Sequence, residues 1–193
     1  MNLVLVIALA FFLVPAISTK PVFAADELVV ADFDSGEKPN NLGGDFGSWD
    51  KDPSDETQSC KMVFEADDSG KPGNAARLNY DVDSPNPAYN GFWMKLNNLD
   101  ATKYNTLNFT VKGDAQKGFT KRVKIELKDN VGSSPYIVNG LTDQWQKVSI
   151  PFEKFRKIKD WSKLSEFVLV FDDINSSPKA GSILVDNITL SRQ

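Results

Sequence analysis

The sequence predicts an all-β protein: two antiparallel sheets packed as a jelly-roll β-sandwich. Three observations carry that prediction. Short runs of alternating apolar and polar residues recur along the chain, clusters of turn formers separate them at regular spacing, and one segment alone could form even a helical turn. A length of 193 residues is a prior for a single domain, and no internal repeat, low-complexity stretch or linker divides it.

The strands follow in order. "LVVADF" (28–33) is the first and "CKMVFEA" (60–66) the second. "ARLNYDV" (76–82) sets Leu78, Tyr80 and Val82 against Arg77, Asn79 and Asp81. "GFWMKL" (91–96) sets Phe92, Met94 and Leu96 against Trp93 and Lys95. "TLNFTV" (106–111) and "RVKIELKD" (122–129) each place three apolar residues on one face. "WQKVSIPF" (145–152), "EFVLVFD" (166–172) and "SILVDNITL" (182–190) complete the series. The segments between them, such as "DSPNPAYN" and "NSSPKAGS", are dense in turn formers. "EKFRKIKDWSKLSE" (153–166) is expected to hold one short helical turn.

In a sandwich the apolar strand faces form the core. The opposite faces carry Arg77, Asp81, Trp93, Lys124, Glu126 and Lys128. Such faces are free to meet solvent or a ligand, so the scaffold presents a polar, partly aromatic outer surface.

Residues 3–17 form an uncharged apolar run, followed by "VFA" at 22–24. This pattern predicts a secretory signal peptide (1–24) cleaved after Ala24, a domain over 25–193, and a secreted or periplasmic location. The start "MN" lacks the basic residues usual in such signals. A membrane anchor is the alternative, but the run falls short of the roughly 20 residues of a span.

The formal net charge is −4, and removing residues 1–24 takes away one lysine and no acid. That balance argues against nucleic acid and anionic membranes as partners, because both call for a basic patch. Cys60 is the single cysteine, so the chain forms no internal disulfide, and it reads as a buried small hydrophobe. The sequence contains no histidine. Ser-His-Asp and Cys-His catalysis and imidazole zinc sites are therefore excluded.

The stretch "DFDSGEKPNNLGGDFGSW" (32–49) asks whether acids and glycines here bind a metal, bind a phosphate or turn the chain. "LGGDFG" lacks the Lys-Ser/Thr of a P-loop and precedes no helix. Gly43, Gly44 and Gly47 read as positions of positive φ in a loop folded over a sheet edge. Asp32 and Asp34 end the first strand and Asp186 lies in the last. Asp34 and Asp186 are candidate ligands of a structural Ca²⁺, which takes carboxylate and carbonyl oxygens; alternatively these acids only solvate strand ends. "DKDPSDETQSCK" (50–61) has Asp55 and Lys61 where an EF-hand needs Gly and Glu, so it is no EF-hand.

Trp93, on the wet side of its strand, suits stacking on the C–H-rich face of a sugar, or is core if a loop covers it. Tyr89 and Tyr136 are secondary candidates of the same kind, while Trp49, Trp145 and Trp161 read as packing anchors. Glu126 and Asp129 point to opposite sides of an ideal strand and make no carboxylate pair across a cleft. Sequons at Asn108, Asn175 and Asn187 are short enough to arise by chance.

In order, "ADFDSG…NNLGGDFGSW", "GFWMKLNNLDATKYNTLNFTVKGD", "VKIELKD", "GLTDQWQKVSIPFEKF" and "GSILVDNITL" resemble the galactose-binding-like jelly rolls of family 11 carbohydrate-binding modules. The complex I intermediate-associated family is similar in its sandwich and Gly-Gly loop. The resemblance runs from about residue 28 to 190. It implies a sandwich that binds β-glucan chains in a cleft on one sheet without cleaving them. It also implies structural calcium near the terminal strands, to which Asp34 and Asp186 correspond.

The expected function is thus a secreted, monomeric, non-catalytic binder of polysaccharide or oligosaccharide. Trp93 and Tyr136 would stack on the ligand, and Arg77, Asp81, Lys124 and Glu126 would hydrogen-bond its hydroxyls. A periplasmic protein-interaction or assembly factor on the same fold is the alternative, and an enzyme is a third reading.

Overall fold

The computed structural model describes residues 27–66, 68 and 72–193. The signal-peptide expectation for residues 1–24 lies outside the described residues. Among the described residues eleven strands run in chain order: β1 (Glu27–Ala31), β2 (Phe46–Asp50), β3 (Ser59–Ala66), β4 (Asn74–Asp81), β5 (Tyr89–Leu99), β6 (Thr106–Gly113), β7 (Arg122–Lys128), β8 (Ser133–Asn139), β9 (Gln146–Pro151), β10 (Leu164–Asp172) and β11 (Ala180–Ser191). The helical turn expected within 153–166 is a single 3-10 turn, Phe152–Lys154.

Two antiparallel sheets result. One has the order β3-β4-β11-β6-β9, with β1 also paired to β11; the other has the order β2-β5-β10-β7-β8. The long β11 makes this arrangement possible. Its first half pairs with β4 (Ala180–Val185) and its last residues pair with β1 (Ile188–Ser191), so β1 continues where β4 stops. At the handover the β6 register shifts between Asp186 and Thr189, and Asn187 takes φ 50°. A bulge of this kind re-aims a strand at a sheet margin.

The alternation read from the sequence holds. Leu78 and Tyr80 of β4, Phe92, Met94 and Leu96 of β5, Leu107, Phe109 and Val111 of β6, and Val123, Ile125 and Leu127 of β7 are all buried between the sheets. Tyr80 stacks on Phe171 with ring centroids 4.0 Å apart, and its hydroxyl accepts the Thr120 amide. Cys60 is buried, and burial with nearby Asp50 pushes its thiol far above the ordinary range, which fits an inert core side chain.

The 32–49 stretch proves to be scaffold. Phe33 and Phe46 enter the core, where they meet Phe64 and Phe92 largely edge-on. Asn40 then holds the loop: its side-chain oxygen accepts the Leu42 and Gly44 amides, and its side-chain nitrogen donates to the Lys95 carbonyl. A Cβ on Gly44 would overlap that carbonyl, so the loop docks on β5 only with glycine there. Of the three glycines read as positive-φ positions, Gly43 alone has that conformation (φ 73°); Gly47 lies inside β2, an ordinary strand residue.

Asp129 fixes the end of β7. One carboxylate oxygen accepts the Val131 and Gly132 amides and the other accepts those of Lys159 and Asp160. Led by the Lys159 amide, these bonds hold its pKa at about 2, below the ordinary aspartate range. A depressed carboxylate stabilises the fold fully above the unfolded pKa, and that contribution is lost as pH falls through the folded one. Melts are therefore expected to weaken between about pH 4 and pH 2. Asp129→Asn offers one acceptor where two are used, so it is expected to cost about 2 kcal/mol at neutral pH and to flatten that acid limb. A neutral-pH melting temperature equal to wild type would contradict the role.

Candidate functional site

The outer face of the five-stranded sheet carries a groove of about 470 Å³. Its geometry follows from strand register, because residues directly opposite share a face. Across the sheet, Trp49 of β2 faces Gly91 of β5, then Val170 of β10 and Lys124 of β7. The next row runs Gly47, Trp93, Val168 and Glu126, and the one beyond it joins Lys95, Glu166 and Lys128. Tyr89 and Asp172 close the far end. From Tyr89 to Lys95 the groove extends ~20 Å along β5.

The groove thus has an aromatic wall, a valine floor and a charged wall. Trp49 and Tyr89 pack edge-on with centroids 5.9 Å apart, and the Lys51 ammonium lies 5.4 Å from the Tyr89 ring. Trp93 is flanked by two cations, Lys95 at 5.6 Å and Lys38 at 6.0 Å from the ring centroid. Lys38 is itself paired with Asp45 at 2.8 Å.

On the charged side every lysine has an acid. Lys95 and Lys128 both donate to Glu166, the latter at 2.8 Å. Burial pushes Glu166 up, but those two bonds together outweigh it and hold its carboxyl below the usual range. Lys124 lies 3.7 Å from Glu126 and 3.6 Å from Asp172. Asp172 already accepts bonds from Ile174 and Asn175. The looser Lys124–Glu126 pair therefore keeps the most capacity for outside hydroxyls.

Of the residues singled out from sequence, Trp93, Lys124 and Glu126 come together in this groove. Arg77 and Asp81 do not; both belong to β4, in the other sheet. The Arg77 guanidinium is consumed by Glu65, by Asp114 at 2.6 Å and by the Ser182 hydroxyl at 2.8 Å. Asp81 accepts the Asp83 amide, and its carbonyl accepts the Asn90 side chain. Tyr136 is opposite Ile125 on the core side of β8 and packs against Phe155 at 6.3 Å, leaving Pro135 and Ile137 to face outward. Trp49 and Tyr89, read as an anchor and a secondary candidate, line the groove instead. Trp161 stacks on Phe152 at 4.0 Å and packs on the core as an anchor, whereas Trp145, just before β9, is half-buried and donates to exposed Asp68.

Asp34 is exposed, and its carbonyl accepts the Asn74 side chain; Asp186 is buried, and Asn187 donates to its carboxylate. Among the described residues no three acids or cysteines gather as a cation cage. Two carboxylates fall short of the six to eight oxygens Ca²⁺ takes, and carbonyls would have to supply the rest.

A β-sandwich with an aromatic-walled groove across one sheet is the architecture of a carbohydrate-binding module. The family model for carbohydrate binding domain 30 matches residues 40–192, and the chain belongs to that family. Its fold is shared with family 11. The family 11 module of the cellulosomal cellulase Lic26A-Cel5E of Clostridium thermocellum superimposes with TM-score 0.62 at 20% identity, over 89% of this chain and 97% of that one. A Clostridium thermocellum family 11 module in complex with a β-1,3-1,4-mixed-linked tetrasaccharide gives 0.61 at 19% identity, over 88% and 98%. An exo-β-agarase gives 0.61 at 12% identity, over 86% of this chain and 25% of the agarase. A comparison with curated proteins finds no match.

Proposed function

We propose that the chain is an exported, non-catalytic module that binds β-glucan-type polysaccharide in the groove of the five-stranded sheet. The observation that carries the proposal is the placement of Trp49, Tyr89 and Trp93 along one wall, opposite Lys124 and Glu126, over a floor of Val168 and Val170. Flat aromatic faces match the C–H face of a pyranose, and the facing charges take its hydroxyls as donors and acceptors. The mixed-linked glucan held by a family 11 neighbour supports the choice of ligand.

Glu166 is not poised as the general acid of a hydrolase. A general acid needs a raised pKa, and the lysine bonds pull this carboxyl the other way. Because the groove cations are each paired to acids, binding of a neutral glucan is expected to change little with salt.

Affinity electrophoresis through gels containing mixed-linkage β-glucan tests the proposal. Retardation without release of reducing sugar is the expected result. Free migration on several glucans would instead favour a protein partner on the same face.

Structural calcium at Asp34 and Asp186 is a separate proposal. EDTA-treated protein is expected to gain melting temperature on adding Ca²⁺ and to lose that gain in Asp186→Asn. An unchanged melt with saturating Ca²⁺ would remove it.

A further inference from the structure

The β2–β5 register sets a glycine, Gly47, directly opposite the central aromatic of the groove, Trp93. Gly47 does not owe its place to backbone conformation, since it lies within β2 and its φ is not in the left-handed region. Nor does close packing of backbone exclude a side chain: the nearest atoms to a Cβ there are side-chain atoms at ordinary contact distance, Trp93 Nε1 at 3.6 Å, Trp93 Cζ2 at 3.7 Å and Lys38 Nζ at 3.7 Å. Gly91 is different, because a Cβ on it would overlap the Leu169 carbonyl. What Gly47 provides is room, and the indole edge of Trp93 occupies it.

An aromatic lying across a cross-strand glycine is a known device for covering an edge strand. Here β2 is the edge strand of its sheet. The consequence reaches past stability, because the tilt of the indole decides how much ring face is offered to a sugar lying on Val168. A larger side chain at position 47 would prop the ring upward and turn its edge, rather than its face, toward the groove.

We propose that Gly47 is a positioning residue for glycan binding: the absence of any side chain larger than a methyl opposite Trp93 lets the indole lie across β2 and present its face to the sugar. Lys38, paired with Asp45 at 2.8 Å, closes the outer side of the same space. The proposal rests on the glucan-binding reading of the groove, and it assigns to that reading a residue that touches no ligand.

The test is a graded series measured by titration with mixed-linkage glucan oligosaccharides. Gly47→Ala places its Cβ at ordinary contact distance from the indole and is expected to bind like wild type. Gly47→Val suits an edge strand by propensity, so it should fold with an unchanged or higher melting temperature yet bind roughly tenfold more weakly. Gly47→Thr, of similar shape, gives the same reading should the valine variant fold poorly. In a Trp93→Ala background the valine effect is expected to vanish, since the ring it displaces is gone.

Wild-type affinity in a folded Gly47→Val protein would overturn the proposal, as would a loss of equal size in the Trp93→Ala background. If wild-type protein binds no glucan, the reading of the groove fails instead. The Trp93 indole resonance then still decides the positioning claim: a shift in Gly47→Val supports it and an unmoved signal sinks it.

Discussion

Replacing Trp93 by alanine is expected to abolish retention of the protein by mixed-linkage β-glucan while leaving it folded. Trp93 is partly buried at the centre of the groove, with Val168 beside it and Glu126 beyond. A shallow groove draws its affinity from few contacts, and an aromatic contact contributes about 0.5–1.5 kcal/mol beyond the area it covers. With the lost apolar area added, the binding constant should fall by roughly tenfold to a hundredfold. The fold should lose little, because the core side of β5 is carried by Phe92, Met94 and Leu96. A melting temperature within about 2–4 °C of wild type is expected. Unchanged retention would show that the ligand lies elsewhere.

The second large effect is expected on the opposite sheet, and on stability rather than binding. Arg77 is 8% exposed and ties Glu65 of β3, Ser182 of β11 and Asp114, just after β6, into one network. Burial pushes the Asp114 carboxyl up, but Arg77 and the Lys117 and Gln116 amides outweigh it and hold the group below its usual range. Arg77→Ala leaves that acid without its main partner. Breaking such an enclosed pair costs about 2–4 kcal/mol, toward the lower end here because the Glu65 side chain is 43% exposed. Thermal melts should therefore drop by several degrees, while glucan affinity of the folded fraction stays at the wild-type value. A weakened affinity at unchanged stability would restore Arg77 to the binding face.

These two residues show what alternation can and cannot reveal. The period of two told that Arg77, Asp81, Trp93, Lys124 and Glu126 all point away from the core. It could not tell from which sheet, because each strand reports only its own two faces and sheet membership is set by long-range pairing. Chain order places β4 and β5 next to each other, yet they lie in different sheets. The aromatic wall was partly legible: Tyr89 has the parity of Trp93 and Lys95, and that signal was available in the sequence. Tyr136, set among turn formers, has the parity of buried Ser134 and Val138 and so faces inward.

The two strands that sequence reading missed are β2 and β8, the edges of the groove sheet. An edge strand needs no long apolar run, since it is covered on one side only, and it tolerates proline and glycine. "FGSWD" and "SSPYIVN" are such segments. A loop reading of β2 assigns Trp49 no face, and a groove residue then reads as a packing anchor. By contrast, the central strands had to be apolar on one side, and their faces were legible throughout.

The central claim is that glycan lies on the five-stranded sheet, and the four tryptophans report on it separately. The measurement is a ¹⁵N-resolved titration of their indole N–H signals with a mixed-linkage glucan tetrasaccharide. The signals of Trp49 and Trp93 are expected to move and saturate together, while those of Trp145, bonded to Asp68 away from the groove, and Trp161, stacked on Phe152, stay in place. Movement of Trp145 alone, or no movement at saturating sugar, would contradict it.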